Sequence, residues 1–276
     1  DRHRGVLARY DNGSSPLDMG PTPAAVSARG RIRYVPTAAI VVRRSALDAV
    51  GGFDPELRFG EDVDWCWRVT DAGWRIRYEP EAVVGHRPRP TMRAFLDQRR
   101  GYGTAAAALE RRHPGRVRPL ETNPWTMAIA AILVGPGSRR GRSILALVVG
   151  VASASPVGRR LRGRTDHPWR LAVTLVGDGH RQGLGWVLHA IRRTWLPPTI
   201  LLAALGVRPA RRAIAAAAAA SAATWRPGVG VDPIRHAGLR MMDDAAYGVG
   251  VWQGAWHHRD PAVLLPRRAD AADHPG

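Results

Sequence analysis

Gly60-Glu61-Asp62-Val63-Asp64-Trp65-Cys66-Trp67-Arg68 is the stretch on which the reading of this chain turns. Three carboxylates fall within four positions, beside two tryptophans and the only cysteine. Ahead of them, Gly51-Gly52-Phe53-Asp54-Pro55 is a turn by composition. Behind them, Gly73 fits a helix C-cap. The spacing therefore predicts a helix over 61–72 with the acids in its first turn. Unpaired N–H groups and the helix dipole favour negative charge there. A carboxylate so placed tends to stay ionised, as a general base must. Plain capping accounts for the same three acids. Two tryptophans and Cys66 in the same helix imply that one of its sides is buried.

Flanking segments alternate between strand and turn signals. Residues 33–42 are apolar and β-branched, as in a strand. Ser45 can cap a short helix ending at Gly51. Residues 74–78 alternate like a strand, and residues 91–110 carry Met92, Phe95, Leu96 and Arg99 at helical spacing. Residues 1–31 read as loops, with turn signals at Asp11-Asn12-Gly13 and Ser15-Pro16.

The series Arg33-Tyr34-Val35-Pro36, Val41-Val42-Arg43-Arg44, Gly51-Gly52-Phe53-Asp54, Gly60-Glu61-Asp62-Val63-Asp64-Trp65 and Gly73-Trp74-Arg75 resembles the second half of a family 2 glycosyltransferase domain of the inverting, GT-A type. Met242-Asp243-Asp244-Ala245-Ala246-Tyr247-Gly248-Val249-Gly250-Val251-Trp252 is similar to the tail of the mycofactocin-system branch. The resemblance implies an α/β fold: the C-terminal half of a GT-A domain, followed by a mostly α-helical, apolar region. It implies that Asp62 deprotonates an acceptor hydroxyl, with Glu61 and Asp64 orienting that base or binding the acceptor. It implies a nucleotide-sugar donor, UDP-glucose in the mycofactocin branch, and a peptide-derived redox acceptor. A family 2 transferase for cell-wall polysaccharide or a polyprenyl-linked sugar is the rival within enzymes.

Further site residues follow from the resemblance. A His corresponding to His86 completes the Mn²⁺ or Mg²⁺ site of related enzymes; as a lone His after a strand it also reads as structural. Gln98-Arg99-Arg100-Gly101-Tyr102-Gly103 sits where processive relatives carry Gln-x-x-Arg-Trp. The match is incomplete, since Gln98 and Arg99 are adjacent and no Trp follows. Arg99 or Arg100 would neutralise a leaving diphosphate, or line a solvated helix face. Trp65, Trp67 or Trp74 would offer a platform for the substrate, or pack in the core. Upstream of Arg31 there is no Asp-x-Asp, so the nucleotide-binding half is expected before Asp1.

Composition adds charge and a boundary. The net charge is +18, and all 41 basic residues counted as Lys+Arg are arginine. That excess draws the chain toward phosphates, acidic lipids or nucleic acid. Arginine is spread along the chain without interleaved aromatics, which argues against nucleic acid. A membrane-associated scaffold without chemistry is the remaining alternative. One cysteine excludes an intrachain disulfide. The domain reading is 1–113 for the acceptor-side part of the GT-A domain, 114–124 for a Pro/Arg linker, 125–266 for a helical region, and 267–276 for a disordered tail. Within 125–266, short apolar runs end in Arg and Trp, as in helices lying on an anionic membrane surface; an ordinary soluble helical bundle accounts for the same runs. A cytoplasmic enzyme at the inner face of the cell membrane is the expected location.

Overall fold

The computed structural model describes residues 5–85 and 87–268. In chain order the elements are α1 (Val6–Gly13), β1 (Ala24–Val26), α2 (Arg44–Val50), α3 (Glu61–Asp71), β2 (Ile76–Tyr78), α4 (Met92–Arg112), β3 (Glu121–Thr122), α5 (Pro124–Val134), α6 (Arg139–Ser153), α7 (Ser155–Leu161), α8 (Pro168–Arg193), α9 (Leu196–Ala204), α10 (Arg208–Ala223), α11 (Pro233–His257), a 3₁₀ turn (Pro261–Leu264) and β4 (Arg267–Arg268). The chain divides into two units. One holds Asp1–Arg118 and Thr224–Leu264; the other holds Pro119–Ala223 and Leu265–Gly276. The division after Arg118 falls inside the stretch read as a linker. Residues 224–264, read as part of the helical region, belong to the first unit.

Among the described residues the chain is mostly helical, and the strands of the expected α/β part are limited to two short two-stranded pairings. In the first unit β1 pairs antiparallel with β2, Ala25 opposite Arg77. Residues 33–42 form no strand among the described residues. Pro36 lacks the N–H a ladder needs, and Val41 is fully exposed. Only Val35 of that run is buried, packed with Val26, Ile32, Trp65, Cys66 and Val69. Residues 1–31 are not all loop: α1 forms because Tyr10 enters a core with Phe95, Val231 and Leu239. Burial overrides weak local propensity there. In α2 the cap position is Arg43 rather than Ser45.

Two devices place α4. Thr91 caps it, its side chain accepting from the Ala94 N–H at 3.2 Å. Against its far side lies α11, held by glycines at close approach. A Cβ on Gly250 would sit 2.0 Å from the Arg100 carbonyl oxygen, and one on Gly103 would sit 2.1 Å from that of Tyr247. Any larger residue there must separate the helices.

The second unit is a helix assembly in which α8 contacts α5, α6, α7, α9 and α10. Leu120, Val187 and Ala190 form its buried cluster. His180 ties three helices together: Nδ1 lies 2.8 Å from Thr126 Oγ1 on α5, and Nε2 lies 2.7 Å from Ser153 Oγ on α6. Burial lowers the His180 pKa. The tail read as disordered lies outside the described residues from 269 onward.

Candidate active site

The acidic helix begins as its sequence predicts. Gly60 is its N-cap at φ 80°, the left-handed region that glycine enters without a Cβ penalty. A Cβ there would also lie 2.9 Å from Leu109 Cδ1 of α4. Gly60 thus lets the start of α3 rest directly on α4. The helix ends at Asp71, with Gly73 at φ 84° closing it.

The three acids part company. Asp64 turns inward and is 2% exposed. Its Oδ1 lies 2.9 Å from His113 Nε2, and its Oδ2 accepts from Arg68 Nε at 2.8 Å. Both oxygens are engaged, so Asp64 does not share a cleft with Asp62. Arg68 also donates to the carbonyls of Val50 and Gly52, the latter at 2.8 Å. Trp67 packs edge-on against His113 and donates to the Arg33 carbonyl at 2.9 Å. This buried side locks the Gly51-Gly52-Phe53 turn and the end of α4 to α3.

Asp62 is only part-buried, and no basic side chain among the described residues pairs with it. Its Oδ1 accepts from the Val63 N–H at 2.8 Å. Burial first, and the neighbouring Glu61 charge second, push its pKa up from 3.8 to about 6. This reverses the expectation that the helix terminus alone would keep it strongly ionised. Desolvation outweighs the backbone hydrogen bond. A carboxyl near 6 is well matched to a general base working near neutrality.

Across from Asp62 stands α4. Gln98, Tyr102, Ala105 and Leu109 follow one another at helical spacing, and the last two meet Gly60. Gln98 Nε2 donates to the Tyr102 hydroxyl at 2.7 Å. Burial raises the Tyr102 pKa; Arg99 and Arg89 oppose that rise, and the nearby Asp62 charge adds to it. Tyr102 was missed by the sequence reading, although its i, i+4 spacing from Gln98 was visible.

Arg99 takes the opposite direction. It is 4% exposed, with Asp11 at 2.6 Å and Asp243 at 3.1 Å. The Tyr10 hydroxyl donates to the same Asp243. Arg99 is therefore committed to a buried network joining α1, α4 and α11. Arg100 is half-exposed and pairs with Asp97 at 3.2 Å. Trp65, read as substrate-binding, is 2% exposed. Its indole donates to the Gly51 carbonyl at 3.2 Å and its ring meets Phe53. Trp65 and Trp74 both border a groove of about 1090 Å³ with Val35, Ile40 and Tyr78; Asp62 does not line it.

Among the described residues no three His, Cys, Asp or Glu side chains gather as a metal site. His86 lies outside the described residues. The carboxylates at Glu61 and Asp62 do not by themselves furnish a ligand set.

The family description "Glycosyl transferase family group 2" matches residues 17–205, more than half of the chain and including Asp62, Asp64, Gln98, Arg99, Arg100 and Tyr102. The chain belongs to glycosyltransferase family 2. Two curated relatives, both called pre-mycofactocin glycosyltransferase and from two strains of Mycobacterium tuberculosis, are 37% identical over 271 residues. That alignment covers 95% of this chain and 57% of each relative, so this transferase chain spans little more than half their length. No solved structure matches it. Family 2 enzymes commonly use a divalent metal.

Proposed function

We propose that this chain is the acceptor side of an inverting hexosyltransferase in which Asp62 is the general base. The observation that carries the reading is the contrast within one helix turn. Asp64 is buried and doubly bonded, whereas Asp62 is part-buried, held near 6 and paired with no cation among the described residues. Asp62 takes the proton of an acceptor hydroxyl as that oxygen attacks the anomeric carbon of a nucleotide sugar. The bond from that carbon to the diphosphate breaks on the opposite face, and the diphosphate leaves with the electron pair. Gln98 and Tyr102 bind the acceptor or order water beside the base. Arg89, exposed in the segment before α4, meets the diphosphate charge; Arg99 is withheld from it by Asp11 and Asp243. A divalent metal, where bound, would act as a Lewis acid toward the diphosphate.

The relatives' name supports a mycofactocin precursor as the acceptor; that the acceptor is peptide-derived and the sugar is glucose from UDP-glucose rests on the family resemblance of the sequence alone. The bare apolar helix faces of the second unit favour one other reading, a polyprenyl-linked acceptor. Transfer from UDP-glucose to each acceptor by the complete transferase, with Asp62→Asn as control, decides between them. Equal turnover by wild type and Asp62→Asn removes Asp62 from the mechanism.

A further inference from the structure

The second unit leaves an unusual amount of apolar side chain uncovered. On α6, Ile144, Leu147, Val148 and Val151 are all more than half exposed. They follow i, i+3, i+4, i+7 spacing and so form one stripe along the helix. The opposite side of α6 is already used: Ala146 and Ser153 are buried, and Ser153 holds His180. The bare stripe is thus not an unpacked core helix. It is the outer face of a helix whose inner face is taken.

The charges around this stripe are of one sign. Arg139, Arg140 and Arg142 precede it, and Arg159, Arg160, Arg162 and Arg164 follow it. No acid occurs between Glu121 and Asp166. Residues 119–223 carry fourteen arginines against three acids, Glu121, Asp166 and Asp178. At the α7–α8 corner the Arg162 guanidinium lies over the half-exposed Trp169 ring at 5.3 Å. Trp and Arg at the edge of an apolar surface are the side chains that sit at a bilayer's head-group level.

We propose that α6 and α7 lie on an anionic lipid bilayer, with the α6 stripe in the acyl boundary and the arginines among the head groups. Arg139–Leu161 is long and apolar enough to cross a membrane, at mean hydropathy 1.4 and with 22% of its apolar window buried. Its geometry favours lying flat. The helix is interrupted at Ala154. The 15 residues of α6 reach only about 22 Å at 1.5 Å per residue, short of the roughly 30 Å hydrocarbon core. Its inner face also carries the Ser153–His180 hydrogen bond to α8, which a lipid-surrounded span would have to give up. The charge pattern selects lipid over a second copy of the chain, whose matching face would be equally positive.

Flotation of the full chain tests this with phosphatidylcholine vesicles containing phosphatidylglycerol and with phosphatidylcholine alone. The chain should float with the anionic vesicles, much less with the neutral ones, and be released by high salt or alkaline carbonate. Arg159→Gln with Arg160→Gln should weaken binding by roughly fivefold per arginine. Leu147→Asp with Val148→Asp, at exposed positions, should abolish it while the far-UV circular dichroism stays unchanged. Failure to bind anionic vesicles, or equal binding to neutral ones, overturns the proposal. Retention after carbonate overturns it in favour of a span. A dimer that the Leu147/Val148 variant dissociates, without vesicle binding, overturns it in favour of self-association. None of these outcomes bears on whether Asp62 is the base.

Discussion

Replacing Asp62 by Asn should make the protein more stable and the enzyme slower. In the native state burial and Glu61 hold the Asp62 carboxyl near 6, against 3.8 when free. Above pH 6 that group is ionised in both states, but the folded state ionises it at a cost. Each pKa unit corresponds to about 1.4 kcal/mol, so the penalty is on the order of 3 kcal/mol, discounted to about 2 for the remaining solvent contact. Asn removes the charge and keeps an oxygen to accept from Val63 N–H. Well below 3.8 the carboxyl is protonated in both the folded and the unfolded state and the variant gains nothing. As pH rises from there to about 6 the gain grows, and above that it is complete. Urea denaturation of both proteins at about pH 4 and about pH 7.5 measures the difference, expected to be only a few tenths of a kcal/mol at the lower pH and about 2 kcal/mol at the higher. In the complete transferase, kcat should fall by about 10² to 10⁴. Wild-type kcat/KM should itself decline as pH drops through about 6, when the base takes up its proton. A stability difference that is the same at both pH values would refute the electrostatic account of Asp62, whatever the activity.

Gly250→Ala should cost at least about 2–3 kcal/mol by overpacking, because its Cβ would meet the Arg100 carbonyl oxygen at 2.0 Å; thermal unfolding measures it, and an unchanged Tm refutes the close α4–α11 contact. His113→Ala should destabilise by about 2–3 kcal/mol in denaturant titration, less than for a buried charge left wholly alone, since Arg68 still holds the other oxygen of Asp64. Burial lowers the pKa of His180 below 6.5, so its native environment favours the neutral ring: stability should be intact above pH 6.5 and fall as pH drops below it. Calorimetry should show that loss attenuated in His180→Gln.

Much of the first unit could be read from local signals. The α3 boundaries followed from the turn before Gly60 and the glycine after Asp71, and α4 followed from its helical period. What could not be read were facts of long-range pairing. Residues 33–42 have the composition of a strand, but a strand needs a partner, and within the described residues none pairs with it. Arg99 and Arg100 are adjacent in sequence and equally basic. Only the approach of Asp11 and Asp243, from α1 and α11, makes one a buried structural cation and leaves the other half-exposed. The similarity of the tail around Asp243 had suggested a relationship without a reason. The structure supplies one: Asp243 and Gly250 lie on the same helix, one neutralising Arg99 and the other letting α11 reach α4.

The divergence of Asp62 and Asp64 was, by contrast, within reach of the sequence. An α-helix turns about 100° per residue. Asp62 and Asp64 are two positions apart, so their side chains leave the helix about 200° apart and cannot converge on one cleft. Asp64 and Arg68 are four apart and share a face, as an i, i+4 pair should. Trp67, three positions after Asp64, is on that face too, but Trp65 and Cys66, three and four positions after Asp62, are equally buried on the other. The tryptophans therefore do not choose between the two acids. What decides is long-range: His113, at the end of α4, and Arg68 engage both oxygens of Asp64, whereas no basic side chain among the described residues pairs with Asp62, which is left able to accept a proton.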